Sequence, residues 1–296
     1  MKKYLPYAAG LLFSTIFGFS FMFSKVALEY LTSIQLIAYR FLIAFVVFTL
    51  LIIFKVVKVN YKGKNIRILL YTAIFQPVLY FLFETYGLAL SQSNEAGMMI
   101  ALIPIFVTFM GIIFLKEKPT LAQLVFISMS VFGVLYINAM KGFSGANATG
   151  MILLLLAVIS AAAFNIFSKK SSKHFSTVEV TYSMMITGFV VFNSLAIFEA
   201  ISNDSLMNYF EPLFNIEVIG PLLYLGTIAS IGGFFLVNYS LSKLEAHVSS
   251  IFANVATIVS ILAGTLILGE AFYGYHLVGS IMIIAGVYGT VRYRKG

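Results

Sequence analysis

Hydrophobic residues run along this chain in ten long blocks, uninterrupted by the regular polar alternation of a half-buried strand. The blocks cover 5–26, 34–54, 68–90, 96–115 and 121–139, then 151–168, 178–198, 218–241, 248–268 and about 273–291. Each approaches the ~20 apolar residues that a helix needs to cross the bilayer core. Continuous runs argue against a membrane β-barrel, whose strands alternate. The pattern therefore predicts an all-α polytopic membrane protein with ten transmembrane helices and short connections. The first block follows Met1-Lys2-Lys3 and imitates a signal peptide. At ~20 residues it is longer than a signal core and lacks a small-x-small exit, so it reads as a retained first span.

Composition narrows the function classes. Only 10% of the residues are charged and 60% are hydrophobic, against ~25% charged in a soluble domain. Ten spans take up ~200 of the 296 residues, which excludes a soluble enzyme or a nucleotide-binding cassette. The net charge of +8 raises the question of nucleic acid. With the N-terminus placed in the cytoplasm, the cytoplasmic segments hold about 16 of the 19 Lys and Arg residues and the outer loops hold only Lys141. Basic residues stay on the cytoplasmic side, so topology explains the excess and no nucleic-acid partner is expected. Both termini are expected in the cytoplasm, and the protein in the cell (plasma) membrane. The absence of cysteine removes disulfides and thiolate metal sites.

The chain also repeats itself. Phe45-Val46-Val47-Phe48 recurs as Phe189-Val190-Val191-Phe192, and Phe23-Ser24-Lys25 as Phe167-Ser168-Lys169, at an offset of 144. Further along the offset is 153, where Gly111, Leu115, Glu117, Gly133 and Val134 match Gly264, Leu268, Glu270, Gly286 and Val287. A nine-residue insertion reconciles the two, and it falls naturally in the loop 199–217. The expected organisation is a first five-span repeat at 5–139, a linker loop at 140–149 and a second five-span repeat at 150–291. Five is odd, so the repeats cross the membrane in opposite senses. Two similar halves of opposite orientation can pack in two near-equivalent ways, which is the architecture of many secondary transporters.

These features resemble the drug/metabolite transporter superfamily and, within it, the bacterial EamA-type transporters. The resemblance covers nearly the whole chain. It rests on the two five-span halves, on Gly18-Phe19-Ser20-Phe21 followed by Lys25, and on Pro104, Glu117 and Gly133 with Glu270 and Gly286 repeating the last two. Phe17 stands where family members often carry Trp, and Thr257 occupies the repeat position of Pro104. The resemblance implies export or import of a small metabolite, often an amino acid or a related compound, without ATP hydrolysis. It also implies that the fifth and tenth spans are scaffold.

Candidate site residues follow from helix breaks and deep charges. Broken helices at matching places in two halves mark transporter sites. Pro77 interrupts span 3, and its repeat position is Ser230, followed by Gly232-Gly233 in span 8. Pro104 adds a break in span 4. Arg40 and Glu84 each lie six residues inside the outer end of a span, ~9 Å deep. Charges at depth are costly and tend to be paired or to face water. Equal depth suggests an Arg40–Glu84 pair, structural or available to substrate, and makes Glu84 the first candidate for proton coupling. Gln76, Tyr80 and Glu84 at four-residue spacing form one helical stripe, read as the cavity wall. Asn165, Asn238 and Asn254 supply polarity in the second half, as ligands or as interhelical glue. Ser20 and Tyr182 complete the candidate lining. Glu117 and Glu270 each precede a helix and read as partners of its N-terminal dipole.

No glycine-rich phosphate loop is encoded, and no two-histidine metal motif or nucleophile elbow; His174, His247 and His276 stand apart. No metal and no cofactor is expected. The leading reading is a secondary transporter of a small metabolite, an exporter by preference, working by alternating access between inverted halves. Its expected partners are the substrate, the bilayer and a coupling proton, and a homodimer is compatible with the sequence. The competing classes are an intramembrane lipid-modifying enzyme and a lipid-binding membrane protein.

Overall fold

A computed structural model describes residues 4–91, 93–140, 147–267 and 269–293. Ten helices in it are long and apolar enough to cross a membrane. We number them α1 (Leu5–Ala27), α2 (Ser33–Ile53), α3 (Arg67–Ala89), α4 (Gly97–Leu115), α5 (Leu121–Ala139), α6 (Ala148–Ser171), α7 (Thr177–Ser202), α8 (Ile216–Lys243), α9 (Ala246–Ile267) and α10 (Gly274–Arg292). The membrane face from which α1 starts is called here the N-terminal face, and the other the distal face. Lys2, Lys3, Lys141, Leu268, Arg294 and Lys295, and most of the linker expected at 140–149, lie outside the described residues.

The repeat is visible in the smallest local structures. Thr32 caps α2 and exchanges bonds with Gln35, and Ser176 caps α7 and does the same with Glu179. Thr120 with Gln123 opens α5, and Tyr273 with His276 opens α10. The first three pairs are reciprocal capping boxes, which satisfy two backbone donors that a helix start leaves unbonded, and at α10 the His276 ring accepts from the Tyr273 N–H at 3.2 Å while the His276 N–H donates to the Tyr273 carbonyl at 3.0 Å. The members of each pair are separated by the offsets read from sequence, 144 for the first two boxes and 153 for the others.

Packing interlocks the two sets of five. Helix α1 lies against α8 and α9, and its counterpart α6 lies against α3 and α4. Helix α2 packs on α7, and α5 on α10. Phe45 stacks on its own repeat counterpart Phe189, with centroids 4.5 Å apart and planes 10° from parallel. The α5–α10 crossing obeys the same symmetry. A Cβ on Gly133 would stand 2.7 Å from the Gly279 carbonyl oxygen, and one on Gly286 would stand 2.6 Å from that of Phe126, the repeat position of Gly279. Without side chains at Gly133 and Gly286 the two backbones touch, as small-residue contacts in membranes allow. The pseudo-two-fold axis thus runs in the membrane plane, from between α2 and α7 to between α5 and α10.

The nine-residue insertion does not lengthen a loop. Ile53 ends α2, but past its counterpart Ile197 helix α7 continues to Ser202. Arg67 opens α3, but α8 starts four residues before the counterpart Gly220. The insertion adds helix at both ends, because Asn215 caps the extended start of α8 by accepting from the Glu217 N–H at 3.0 Å. The intervening loop folds back over the distal face. There the Tyr39 hydroxyl donates to the Tyr209 carbonyl, and the Tyr209 hydroxyl donates to Asn193 Oδ1 at 3.0 Å.

Candidate functional site

Helices α3 and α8 both change their winding near mid-span, at matched positions. Residues Ile74–Leu79 of α3 and Tyr224–Gly233 of α8 form wide i→i+5 turns, which are rare and concentrate at functional sites. In α3 the chain leaves helical geometry at Gln76 (φ −148°, ψ 119°), just before Pro77. The stripe expected over Gln76, Tyr80 and Glu84 is therefore cut. Only Tyr80 and Glu84 share a regular turn, because common facing at four-residue spacing requires unbroken helix. In α8, Gly233 meets α1 closely, since a Cβ there would lie 2.6 Å from the Phe17 ring; Gly232 faces open space.

The breaks in α4 and α9 also correspond. Helix α4 is interrupted at residues 101–102, and Pro104 then sits in the first turn of the next helical piece, where a missing N–H costs nothing. At the repeat position α9 tightens into a 3₁₀ turn over Ile251–Asn254. The winding changes without proline there, in keeping with Thr257 replacing Pro104.

Around these breaks the two deep charges come together, but not on each other. The Arg40 side chain is buried, with Nε donating to Ser230 Oγ at 2.7 Å and its guanidinium 5.3 Å above the Phe81 ring. Glu84 Oε1 accepts from the Tyr80 hydroxyl at 2.7 Å. The two charges attract electrostatically, yet the expected direct Arg40–Glu84 ion pair is not formed. Each charge takes a neutral hydroxyl instead. Ser230, known from sequence only as the repeat position of Pro77, is the member of this cluster that the sequence did not single out; a hydroxyl facing a break in the partner half was the available signal.

The asparagines behave differently. Asn238 Oδ1 accepts from Ser168 Oγ at 2.6 Å, and Nδ2 donates to Thr181 Oγ1 at 3.0 Å and to Met184 Sδ at 3.4 Å, joining α6, α7 and α8. Asn254 Nδ2 donates to Ser130 Oγ at 3.1 Å, joining α9 to α5. Asn165 bonds back to the Ala161 carbonyl of its own helix, and Ser20 likewise to Ile16. Tyr182 bonds Thr49 and packs edge-on against Phe48, within the α2–α7 contact.

At the N-terminal face a cavity of about 620 Å³ is lined by Lys64, Arg67, Tyr71, Phe167 and His174, among others. Lys64 binds both carboxylate oxygens of Glu179, at 2.8 and 2.9 Å. Glu117 does not serve its own helix, as its place before α5 suggested. It caps α9 instead, accepting from the Ala246 N–H at 2.6 Å and bonding His247 Nδ1 at 2.6 Å. Burial pushes this carboxyl up, but the His247 and Ala246 hydrogen bonds outweigh it and hold the group below the ordinary carboxylate range. Its stabilising charge is thus complete at neutral pH and is lost only as pH falls through that lowered value. Among the described residues no cluster of His, Asp or Glu is arranged to hold a metal ion.

Comparison with known proteins agrees with this architecture. The profile of the EamA-like transporter family matches residues 5–139 and, a second time, 148–292. The uncharacterized transporter YcxC of Bacillus subtilis is 39% identical over 96% of this chain and 92% of its own length. A probable amino-acid metabolite efflux pump of Salmonella typhimurium is 24% identical over 94% of this chain and 92% of its own length. A solved crystal structure superposes with a TM-score of 0.79 over 97% of this chain and 95% of the other at 16% identity, which shows the shared fold. Family and relatives together make this chain a membrane transporter of small molecules and not an enzyme.

Proposed function

We propose that this chain, which belongs to the EamA-like transporter family, carries a small zwitterionic metabolite of the amino-acid class between Arg40 and Glu84. The observation that carries the reading is that two opposite charges on facing helices each hold a neutral hydroxyl rather than each other. A direct ion pair would leave a zwitterion little to gain. Here a substrate carboxylate can replace Ser230 on the Arg40 fork, and a substrate ammonium can replace the Tyr80 hydroxyl on Glu84. A bond between two opposite charges adds Coulomb attraction to the charge–hydroxyl bond it displaces, which has only one ionised partner. The name of the Salmonella relative points to the same substrate class.

Movement follows alternating access. The pseudo-two-fold relation of α1–α5 to α6–α10 supplies two near-equivalent packings around a site that stays between the halves. Both termini lie in the cytoplasm, as the basic residues of the N-terminal face require. Glu84 takes up a proton when no substrate ammonium is bound, which couples export to the proton gradient. The two repeats, 5–139 and 150–291, are the moving units.

The test is counterflow in proteoliposomes with a radiolabelled neutral amino acid. Competitors carrying only a carboxylate or only an amine are compared with the intact zwitterion. The zwitterion should compete best, and Glu84→Gln should abolish both the preference for an ammonium group and the pH dependence of flux. Equal competition by all three classes would overturn the substrate assignment, and unchanged flux across pH would remove Glu84 from coupling.

A further inference from the structure

Eight residues that close the two ends of the molecule form four pairs of repeat counterparts. Phe23 and Lys25 on α1 correspond to Phe167 and Lys169 on α6 at the 144 offset, and Tyr71 and Glu117 correspond to Tyr224 and Glu270 at 153. The structure joins them across the halves. At the distal face Phe23 stacks on Tyr224 with centroids 4.2 Å apart, and Lys25 Nζ binds Glu270 Oε1 at 2.8 Å. At the N-terminal face the counterpart aromatics, Phe167 and Tyr71, stand further apart at 5.5 Å, and the cavity of about 620 Å³ lies beside them. The counterpart charges there are engaged with the same short connection between α8 and α9. Lys169 Nζ donates to the Leu244 carbonyl at 2.6 Å, while Glu117 holds Ala246 and His247.

We infer that these are two copies of one clasp, an aromatic pair with an ion pair beside it, which is closed at the distal face and, at the N-terminal face, has its ion pair exchanged for other partners and its aromatic pair loosened. In the opposite state of the transporter the N-terminal clasp closes. Glu117 then leaves His247 and meets Lys169, Tyr71 stacks tightly on Phe167, and Lys25 and Glu270 separate. The glycines behind the carboxylates fit this use. Gly111 and Gly264 each accept a backbone bond from the glutamate six residues on, at 3.1 and 3.0 Å, and leave room for its side chain to fold back. The distal ion pair is 64% and 51% exposed. Such a pair is weak, which suits a contact that must break in every cycle.

The inference rests on the alternating-access reading, and its deciding readout, which faces cross-link together, does not use the substrate. The chain has no native cysteine, so engineered thiols stand alone. Lys25→Cys with Glu270→Cys, and Lys169→Cys with Glu117→Cys, are joined by a short bis-maleimide in proteoliposomes. Phe23→Cys with Tyr224→Cys, and Tyr71→Cys with Phe167→Cys, serve as second pairs because Glu117 also caps α9. Both faces should cross-link and arrest flux. In a protein carrying both pairs, joining one face should lower joining at the other at least tenfold. A distal pair that joins while neither N-terminal pair does, or one molecule joined at both faces, would overturn the clasp. Cross-linking as expected with failed zwitterion competition would instead retire the substrate assignment and leave the clasp standing.

Discussion

Two polar groups lie in the helix core on opposite sides of the pseudo-two-fold axis, and they are built on different principles. Toward the distal face are Arg40, Ser230, Tyr80 and Glu84, two charges each met by a hydroxyl. Toward the N-terminal face are Ser168, Thr181 and Asn238, where the amide oxygen and both amide hydrogens are engaged by neighbouring helices. The repeat positions of Arg40 and Glu84 are Met184 and Val237, both buried and apolar. The backbone is symmetric and the chemistry is not. A neutral network with its amide satisfied has nothing to offer a ligand and serves to hold three helices. Charges met by uncharged hydroxyls stay unneutralised and can still attract an ionised ligand.

The comparison can be broken by substitution, and the largest effect is expected at the charges. Arg40→Met removes the substrate fork and leaves Glu84 without an opposing charge in the low-dielectric interior. Transport should fall by tenfold or more, equivalent to at least ~1.4 kcal/mol, while the unfolding temperature in detergent changes little. A large drop in unfolding temperature with residual flux would mean that Arg40 is structural, and the two groups would then be alike. Asn238→Ala should show the reverse pattern. It loses interhelical bonds worth about 0.6 to 1.7 kcal/mol in membranes, so thermal stability falls while KM stays near that of the parent. An Asn238→Ala protein of parental stability that cannot transport would make the neutral network part of the site. The smallest effect is expected for Ser230→Ala, which removes only the placeholder hydroxyl on Arg40. A KM change within a few-fold, read from the same counterflow assay, fits a partner that substrate displaces. A loss as large as that of Arg40→Met would show that Ser230 stays bonded throughout the cycle.

Legibility from sequence varied with the range of the interaction. The Phe45–Val47 and Phe189–Val191 segments announced the repeat, and the structure places Phe45 on Phe189 across the axis. Pro77 and Pro104 marked true changes of winding, but the continuity of the Gln76–Tyr80–Glu84 stripe was lost, because spacing arguments assume a regular helix and the proline had removed it. The Arg40–Glu84 pair was inferred from equal depth. Depth measures position along the membrane normal and says nothing about the direction in which each side chain leaves its helix, and Ser230 and Tyr80 lay nearer those directions.

By itself the sequence determined that ten helices cross a membrane, that they form two related sets of five, and that few charges lie deep. Those conclusions follow from hydrophobic run length, from offsets and from the cost of burying charge, all of which are properties of the chain read in order. The tertiary structure alone decided that Arg40 holds the Ser230 hydroxyl, that Glu117 caps α9 rather than its own helix, and that the distal aromatic pair is tighter than its counterpart. These are contacts between residues tens to hundreds of positions apart, set by helix rotation and crossing, and nothing in the linear pattern encodes a rotation that packing against another helix selects.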